Sequence, residues 1–499
     1  MSILKRLAGQ TALYGLSSML GRALNFLLVP FYTSVLLVGE FGVFTEMYAY
    51  VAFLNVVYLF GMETTYFRYA NKDQLKEKEV FQVTQTFVCA LALLLSGTFI
   101  ILAKPIANAL DYPNQSRYIV WLALIMGVDA IAAIPFARLR QENKAAWFAF
   151  VKLTNIGLNI FFNIFFLVFC KGISEGLFLP EYKELINRFY HSSRDIEYVF
   201  IANFLANAAV LLLLVKEFRG FRFRWNTEMM QSMIWYAFPL MLMGLAGQVN
   251  EVLDRILLKP LLPDGFYPGL SKEVVLGIYG GCYKLSMFMT LAIQSFRYAA
   301  DPFFFSKAQD KNAPAVFARV MNWFVVVCCF MFLMISVYVA PIGELLLRKE
   351  LFSSGLAVVP VLLLANLFLG VYYNLSIWYK ITDKTYWGTW IGVGGALFTI
   401  FGNILLIPLL GYMGAAYTTL ACYFLMALIS YRVGHKYFPV PYDIAAIVML
   451  VGSSVLLIMI SRYVNTGNFW LNQLVCLIFP MAYLLLVVYL KKIRFGKVQ

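Results

Sequence analysis

Charge is what this sequence has least of. Only 13% of its 499 residues are charged, against 62% hydrophobic, whereas a soluble domain carries about a quarter charged residues. A chain so poor in charge cannot clothe itself in a water-facing surface. Histidine is scarce as well. The two present, His191 and His435, fall in polar connections away from other ligand-type side chains, which argues against a histidine metal site. All seven cysteines (Cys89, Cys170, Cys282, Cys328, Cys329, Cys422 and Cys476) lie inside apolar blocks. With none in a connecting loop there is no disulfide framework, and the adjacent Cys328-Cys329 pair is not a metal spacing. They read as small packing residues. No Gly-x-x-x-x-Gly-Lys-Ser/Thr run occurs, which excludes ATP binding by that route, and no cofactor is expected. Length alone would suit about three soluble domains, but no polar linker or low-complexity stretch separates independent cores.

What is present is a series of apolar blocks about twenty residues long, the length of helix that crosses a bilayer core. They predict fourteen spans: 10–35, 41–64, 80–103, 118–137, 147–170, 198–215, 231–257, 274–296, 320–341, 355–378, 386–408, 412–430, 444–461 and 469–490. Barrel strands are excluded, because the blocks are too long and do not alternate polar with apolar. The first apolar segment follows Lys5 and Arg6 and runs to about residue 36, longer than the apolar region of a signal peptide, so it reads as a retained helix.

Lysine and arginine orient these spans. With the N-terminus in the cytoplasm, 25 of the 40 fall on the cytoplasmic side and 11 on the other, while Arg22, Lys152, Arg255 and Lys284 lie within spans. This division accounts for the net charge of +14 as a topology signal and leaves nucleic acid out of the reading. Both termini are expected in the cytoplasm. A repeat is also visible: residues 41–48 resemble 276–283, and Leu27-Leu28-Val29-Pro30 matches Leu257-Leu258-Lys259-Pro260. Six spans separate the copies, so both run the same way through the membrane, as in transporters built from parallel six-helix halves. The corresponding division is 1–216, 217–436, and two further helices with a basic tail over 437–499.

Gly21-Arg22 in the first span, Pro30 near its end, the turn Gly39-Glu40-Phe41-Gly42-Val43-Phe44, and the later Leu410-Gly411-Tyr412-Met413-Gly414-Ala415-Ala416-Tyr417 together resemble the polysaccharide flippases. These are a branch of the multidrug/oligosaccharidyl-lipid/polysaccharide exporter superfamily. The resemblance implies an all-α integral membrane protein in which two six-helix bundles face a central cavity that opens alternately to each side. It also implies a sugar chain linked through pyrophosphate to a polyprenyl lipid as cargo, the bacterial inner membrane as location, and no covalent chemistry. A drug or cation antiporter of the same fold, and a membrane polysaccharide polymerase or ligase, are the alternatives. The latter class usually carries a substantial catalytic outer loop, and the longest one here, about 171–197, shows no recognisable arrangement.

Nine charges fall within the spans: Arg22, Glu46, Glu63, Asp129, Lys152, Glu251, Asp254, Arg255 and Lys284. A charge at mid-bilayer costs about 2.5–3.5 kcal/mol on insertion scales, so each needs water or a partner. Lys152 and Glu63 lie near span ends and could snorkel to the interface; Arg255 stands beside Asp254 and Glu251 as a site or a self-satisfying cluster. Arg22 and Lys284, one in each half, are read either as pyrophosphate contacts or as ion-pair partners of Glu46 or Asp129. Arginine grips such an anion bidentately and lysine as a point charge. Tyr48 and Tyr283, at matching places in the repeat, are the aromatic candidates for sugar contact. A coupling ion, proton or sodium, is expected, and Asp254, Asn403 and Thr419 resemble sodium-binding positions of the lipid II flippase. The alternative for these three is ordinary hydrogen bonding between helices.

Overall fold

The computed structural model describes residues 26, 28–72, 77–191, 194–308, 310–464 and 466–493. Among them it contains helices, turns and no strand. Thirteen helices among the described residues are long and apolar enough to cross a membrane: α1 (Val38–Asn71), α2 (Glu77–Ile101), α3 (Ser116–Gln141), α4 (Ala145–Glu175), α5 (Asp195–Phe218), α6 (Thr227–Leu261), α7 (Lys272–Lys307), α8 (Ala313–Val337), α9 (Val358–Ile381), α10 (Tyr386–Leu410), α11 (Tyr412–Tyr437), α12 (Ile444–Ser461) and α13 (Phe469–Leu490). Each coincides with one of the predicted spans after the first. Most of the first span, 10–35, lies outside the described residues. The chain is a multi-pass membrane protein.

Contacts divide the chain into two compact units, Met1–Val252 and Leu253–Gln499, with the boundary inside α6. In the first unit α3 is the central helix and packs against α1, α2 and α5, while α4 packs mainly on α5. Small residues permit this: Ala123, Gly127, Ala130 and Ala137 of α3 are all buried. In the second unit α9 and α11 form the central pair, with α7, α8 and α10 around them. The last two helices dock on α8, where the Tyr483 hydroxyl donates to the Val326 carbonyl at 3.1 Å.

Helices α1 and α4 depart from regular geometry. In α1 the chain breaks at Phe60 and Gly61, whose φ values are +50° and +71°. Glycine is needed there on two counts, since a Cβ on Gly61 would also lie 2.9 Å from the Ala237 carbonyl oxygen of α6. In α4 the run Phe165–Cys170 winds as a π-helix, a single wide turn of the kind that often sits near functional sites. Beyond it the chain does not form an open loop. Residues 171–191 include the short helices Lys171–Glu175 and Lys183–Asn187, tied by Lys171 to Asp195 at 2.5 Å and by Ser174 to Asn187 at 2.7 Å.

Candidate functional site

A cavity of about 490 Å³ opens within the first unit. Four helices supply its walls, each through one face. From α3 come Asp129, Ala132, Ala133, Phe136 and Arg140, and from α4 Phe148, Lys152, Asn155 and Asn159. From α5 come Asn203, Asn207 and Val210, and α1 adds Leu59 and Glu63. Within each of α3, α4 and α5 these positions recur at three- and four-residue steps, the spacing that stacks side chains along one side of a helix. The pair Ala132-Ala133 leaves the room that larger residues would fill.

The amides form a ladder. Asn155 donates to Asn207 at 2.8 Å, Asn207 to Asn203 at 3.0 Å, and Asn203 to the Tyr48 hydroxyl at 2.7 Å. Each amide has two N–H donors and an acceptor oxygen with two lone pairs, so the ladder uses only part of its capacity. Tyr48 is held between Phe44 and Phe200, tilted against both, with ring centroids at 4.7 and 5.9 Å. One turn further along α4, Asn163 donates to Asn159 at 3.0 Å.

Asp129 and Lys152, two of the four charges on the wall, are the second feature. Lys152 Nζ stands 4.1 Å above the Phe136 ring, and its charge and that of Asp129 act on each other. Yet among the described residues neither makes an ion pair within 4 Å or a hydrogen bond. Opposite charges held apart across a polar space in a membrane protein need water or a ligand between them. Lys152 therefore faces the cavity and is not lifted away to the helix end.

At the lysine- and arginine-rich end the cavity meets an ionic lattice. Arg140 pairs with Glu63 and lies over Phe67 at 5.0 Å. Glu142 binds both Arg138 at 2.7 Å and Lys144 at 2.6 Å, and Lys144 reaches Glu217 at 3.5 Å. Burial alone would raise the Glu142 carboxyl, but hydrogen bonds and charge from Lys144 and Arg138 outweigh it and hold it below the usual carboxylate range. The same hydrogen bond raises the Lys144 ammonium.

The remaining sequence candidates fall elsewhere. Arg22 lies outside the described residues. Glu46 accepts a hydrogen bond from Tyr112 at 2.6 Å. In the second unit Asp254 is buried and accepts from the Tyr279 hydroxyl at 2.5 Å, from the Arg255 backbone N–H at 2.9 Å and from Arg255 Nε at 3.3 Å. The Arg255 guanidinium covers the Tyr283 ring at 4.0 Å. Lys284, next along α7, is half-buried and makes no ion pair or hydrogen bond among the described residues, while the like charge of Arg255 acts on it. Asn403 and Thr419 are buried on α10 and α11, and each hydrogen-bonds to its own helix, at Thr399 O (2.8 Å) and Ala415 O (3.1 Å). No hydrogen bond among the described residues joins them to Asp254. The Asn403 side-chain oxygen is buried without a partner.

Residues that sequence reading passed over are Asn155, Asn159, Asn203 and Asn207. Their signal was available: asparagines four apart within otherwise apolar spans, on helices α4 and α5.

Residues 35–175 match a family described as "Polysaccharide biosynthesis protein". No curated protein matches the chain. Among solved structures it is similar to the lipid II flippase MurJ in an inward closed conformation, with 12% identity, 94% of this chain and 99% of that one covered, and a TM-score of 0.64. It is also similar to an inward-facing multidrug resistance MATE family transporter of the MOP superfamily, with 12% identity, 85% and 94% coverage and a TM-score of 0.60. A Vibrio cholerae MATE transporter, VcmN, aligns at 14% identity over 87% of this chain and 96% of its own, with a TM-score of 0.57. These neighbours are transporters and flippases, and the chain has their fold.

Proposed function

We propose that this protein is a flippase. It carries a polyprenyl-pyrophosphate-linked oligosaccharide from the cytoplasmic to the outer leaflet of the bacterial inner membrane by alternating access, with both termini in the cytoplasm. The observation that carries this reading is the cavity of the first unit, where a ladder of amides adjoins Lys152 and Asp129 without satisfying them. Sugar hydroxyls are donors and acceptors at once, and amides answer both needs. Phe136 and Phe148 offer apolar faces to a ring, and Lys152 offers a point charge to an anionic group. The match of residues 35–175 to a polysaccharide biosynthesis family supports the same cargo class. Lys284, which makes no ion pair or hydrogen bond among the described residues, and Arg22, which lies outside them, are assigned to the pyrophosphate, with the Arg255 guanidinium covering the Tyr283 ring next to Lys284 in sequence. The lipid tails remain in the bilayer while the head group crosses.

The division at 1–216, 217–436 and 437–499 is retained as the functional one: two six-helix halves and two accessory helices. For the coupling ion, Asn403 is the strongest of the three candidates, because its buried oxygen has no partner, with Thr419 and Asp254 as its proposed co-ligands. Whether the ion is a proton or sodium is read out by which gradient drives flipping.

A second reading has one observation in its favour. Asp129 places a carboxylate in the cavity, which suits a cationic drug, and the MATE neighbours are multidrug transporters. Reconstitution into liposomes separates the two. The flippase reading expects transfer of a fluorescent polyprenyl-pyrophosphate oligosaccharide, reduced at least tenfold in Lys152→Met, and no uptake of ethidium. Ethidium transport with no lipid transfer would overturn it.

A further inference from the structure

The folded segment between α4 and α5 carries a surface that the transport reading does not use. Its interior is well made. Ile173, Ile186 and Tyr190 are buried, Tyr190 stacks on Tyr198 at 4.4 Å, and the Tyr190 hydroxyl donates to Asp195 at 3.1 Å. The segment therefore has a core, and could have hidden its apolar side chains there. It does not. Leu177 is 73% exposed, Leu185 53% and Phe189 52%, and Phe178, Leu179 and Tyr182 are exposed as well. Six large apolar residues within 177–189 stand outward from an ordered element, which water does not favour.

Their arrangement has direction. Leu185 in the short helix and Phe189 in the turn that follows it are both exposed, as are Glu184 and Arg188, while Ile186 between them points inward. The apolar edge is continuous with the outer face of α4. Rings of Phe161, Phe165 and Phe169 stack in succession at 6.2 and 5.8 Å, and Phe169 meets Phe178 at 5.9 Å. Phe161, Ile164, Val168 and Phe169 are themselves exposed on a helix that spans the membrane. The Phe178 ring covers Gly172 so closely that a Cβ there would lie 2.1 Å from it, which fixes the turn and keeps the aromatic row unbroken.

We propose that residues 177–189 are a membrane-seated clasp whose partner is the lipid surface itself. The edge formed by Leu177, Phe178, Leu179, Leu185 and Phe189 enters the boundary between head groups and acyl chains at the C-terminal end of α4. Lys183, Glu184 and Arg188 lie at head-group level, the pattern of an amphipathic interfacial element. Tyr182 occupies the zone where aromatic side chains with a polar tip gather. Fixed to α4 and, through Asp195, to α5, the clasp holds the ends of two cavity-lining helices at a set depth in the leaflet.

The test uses the full chain, one copy per nanodisc of phosphatidylethanolamine and phosphatidylglycerol, with a nitroxide on one introduced cysteine: Leu185→Cys, Phe189→Cys or Glu184→Cys. The native cysteines are buried, and unmodified protein reports background labelling. Collisions with oxygen should exceed those with a water-soluble nickel chelate severalfold at 185 and 189, with the order reversed at 184. Nickel collisions at 185 and 189 as frequent as at 184 would overturn the proposal. So would dipolar coupling between labels when two chains share a disc, which would give the face to a second copy of this protein. Leu177→Cys supplies the same reading if a substitution at 185 or 189 prevents folding.

Discussion

The two units answer the same difficulty, charge inside a membrane, in opposite ways. In the second, Asp254 and Arg255 are neighbours in sequence and spend themselves on each other, with Tyr279 and Tyr283 completing the cluster. In the first, Asp129 and Lys152 sit on different helices, face a common space and, among the described residues, make no ion pair or hydrogen bond. The tyrosines at matching repeat positions share this contrast. Tyr48 ends an amide ladder on the cavity wall, whereas Tyr283 lies under a guanidinium in a packed cluster. A repeated scaffold does not repeat its chemistry. Local pairing satisfies Asp254 and Arg255 within the second unit, and separation leaves Asp129 and Lys152 of the first available to a ligand.

That contrast can be broken most forcefully at Asp254. Removing one member of a buried pair strands the other, at about 3–5 kcal/mol. Asp254→Ala is therefore expected to lower the melting temperature of the purified protein markedly, and an unchanged melting curve would dissolve the distinction between the units. Lys284 sharpens it from the other side. Lacking an anionic partner and standing near Arg255, it contributes no attraction to lose, so Lys284→Met should leave thermal stability intact or raise it. If it grips the head group, the same variant loses a charged contact of about 1.5–3 kcal/mol, read as a tenfold or greater fall in surface glycan. A drop in stability with normal glycan would make it a structural residue. The smallest effect is expected at Asn207. Asn207→Leu cuts the ladder in its middle, costs about 1 kcal/mol per lost hydrogen bond, and should alter preference among glycans more than overall rate. Equal loss for every glycan tested would mean that the ladder only braces α4 against α5.

The spans were legible because hydropathy accumulates: twenty apolar residues in a row announce a helix whatever their order. The cavity was not, because it depends on order alone. Asn155, Asn159, Asn203 and Asn207 barely dent the apolar average of α4 and α5, and only their four-residue period reveals a wall. Lys152 was open to a second reading for a related reason. Distance from a helix end can be counted in sequence, but the side to which the ammonium turns is set by Phe136 and Asp129 on another helix. Asp254 and Arg255, adjacent in the chain, needed no such information, and self-satisfaction was already one of their two readings. The segment 171–197 looked like a long loop because its polar residues are frequent; its ties, Lys171 to Asp195 and Tyr190 to Tyr198, join positions too distant for local pattern to reveal.

One further consequence comes from the break in α1. There Gly61 brings its own main chain against that of Ala237 on α6, so the interval between these helices is set by backbone atoms on both sides. The cavity walls on α3, α4 and α5 can accordingly be exchanged, residue by residue, to suit a different sugar while this spacing stays fixed, and a methyl group at position 61 would disturb it.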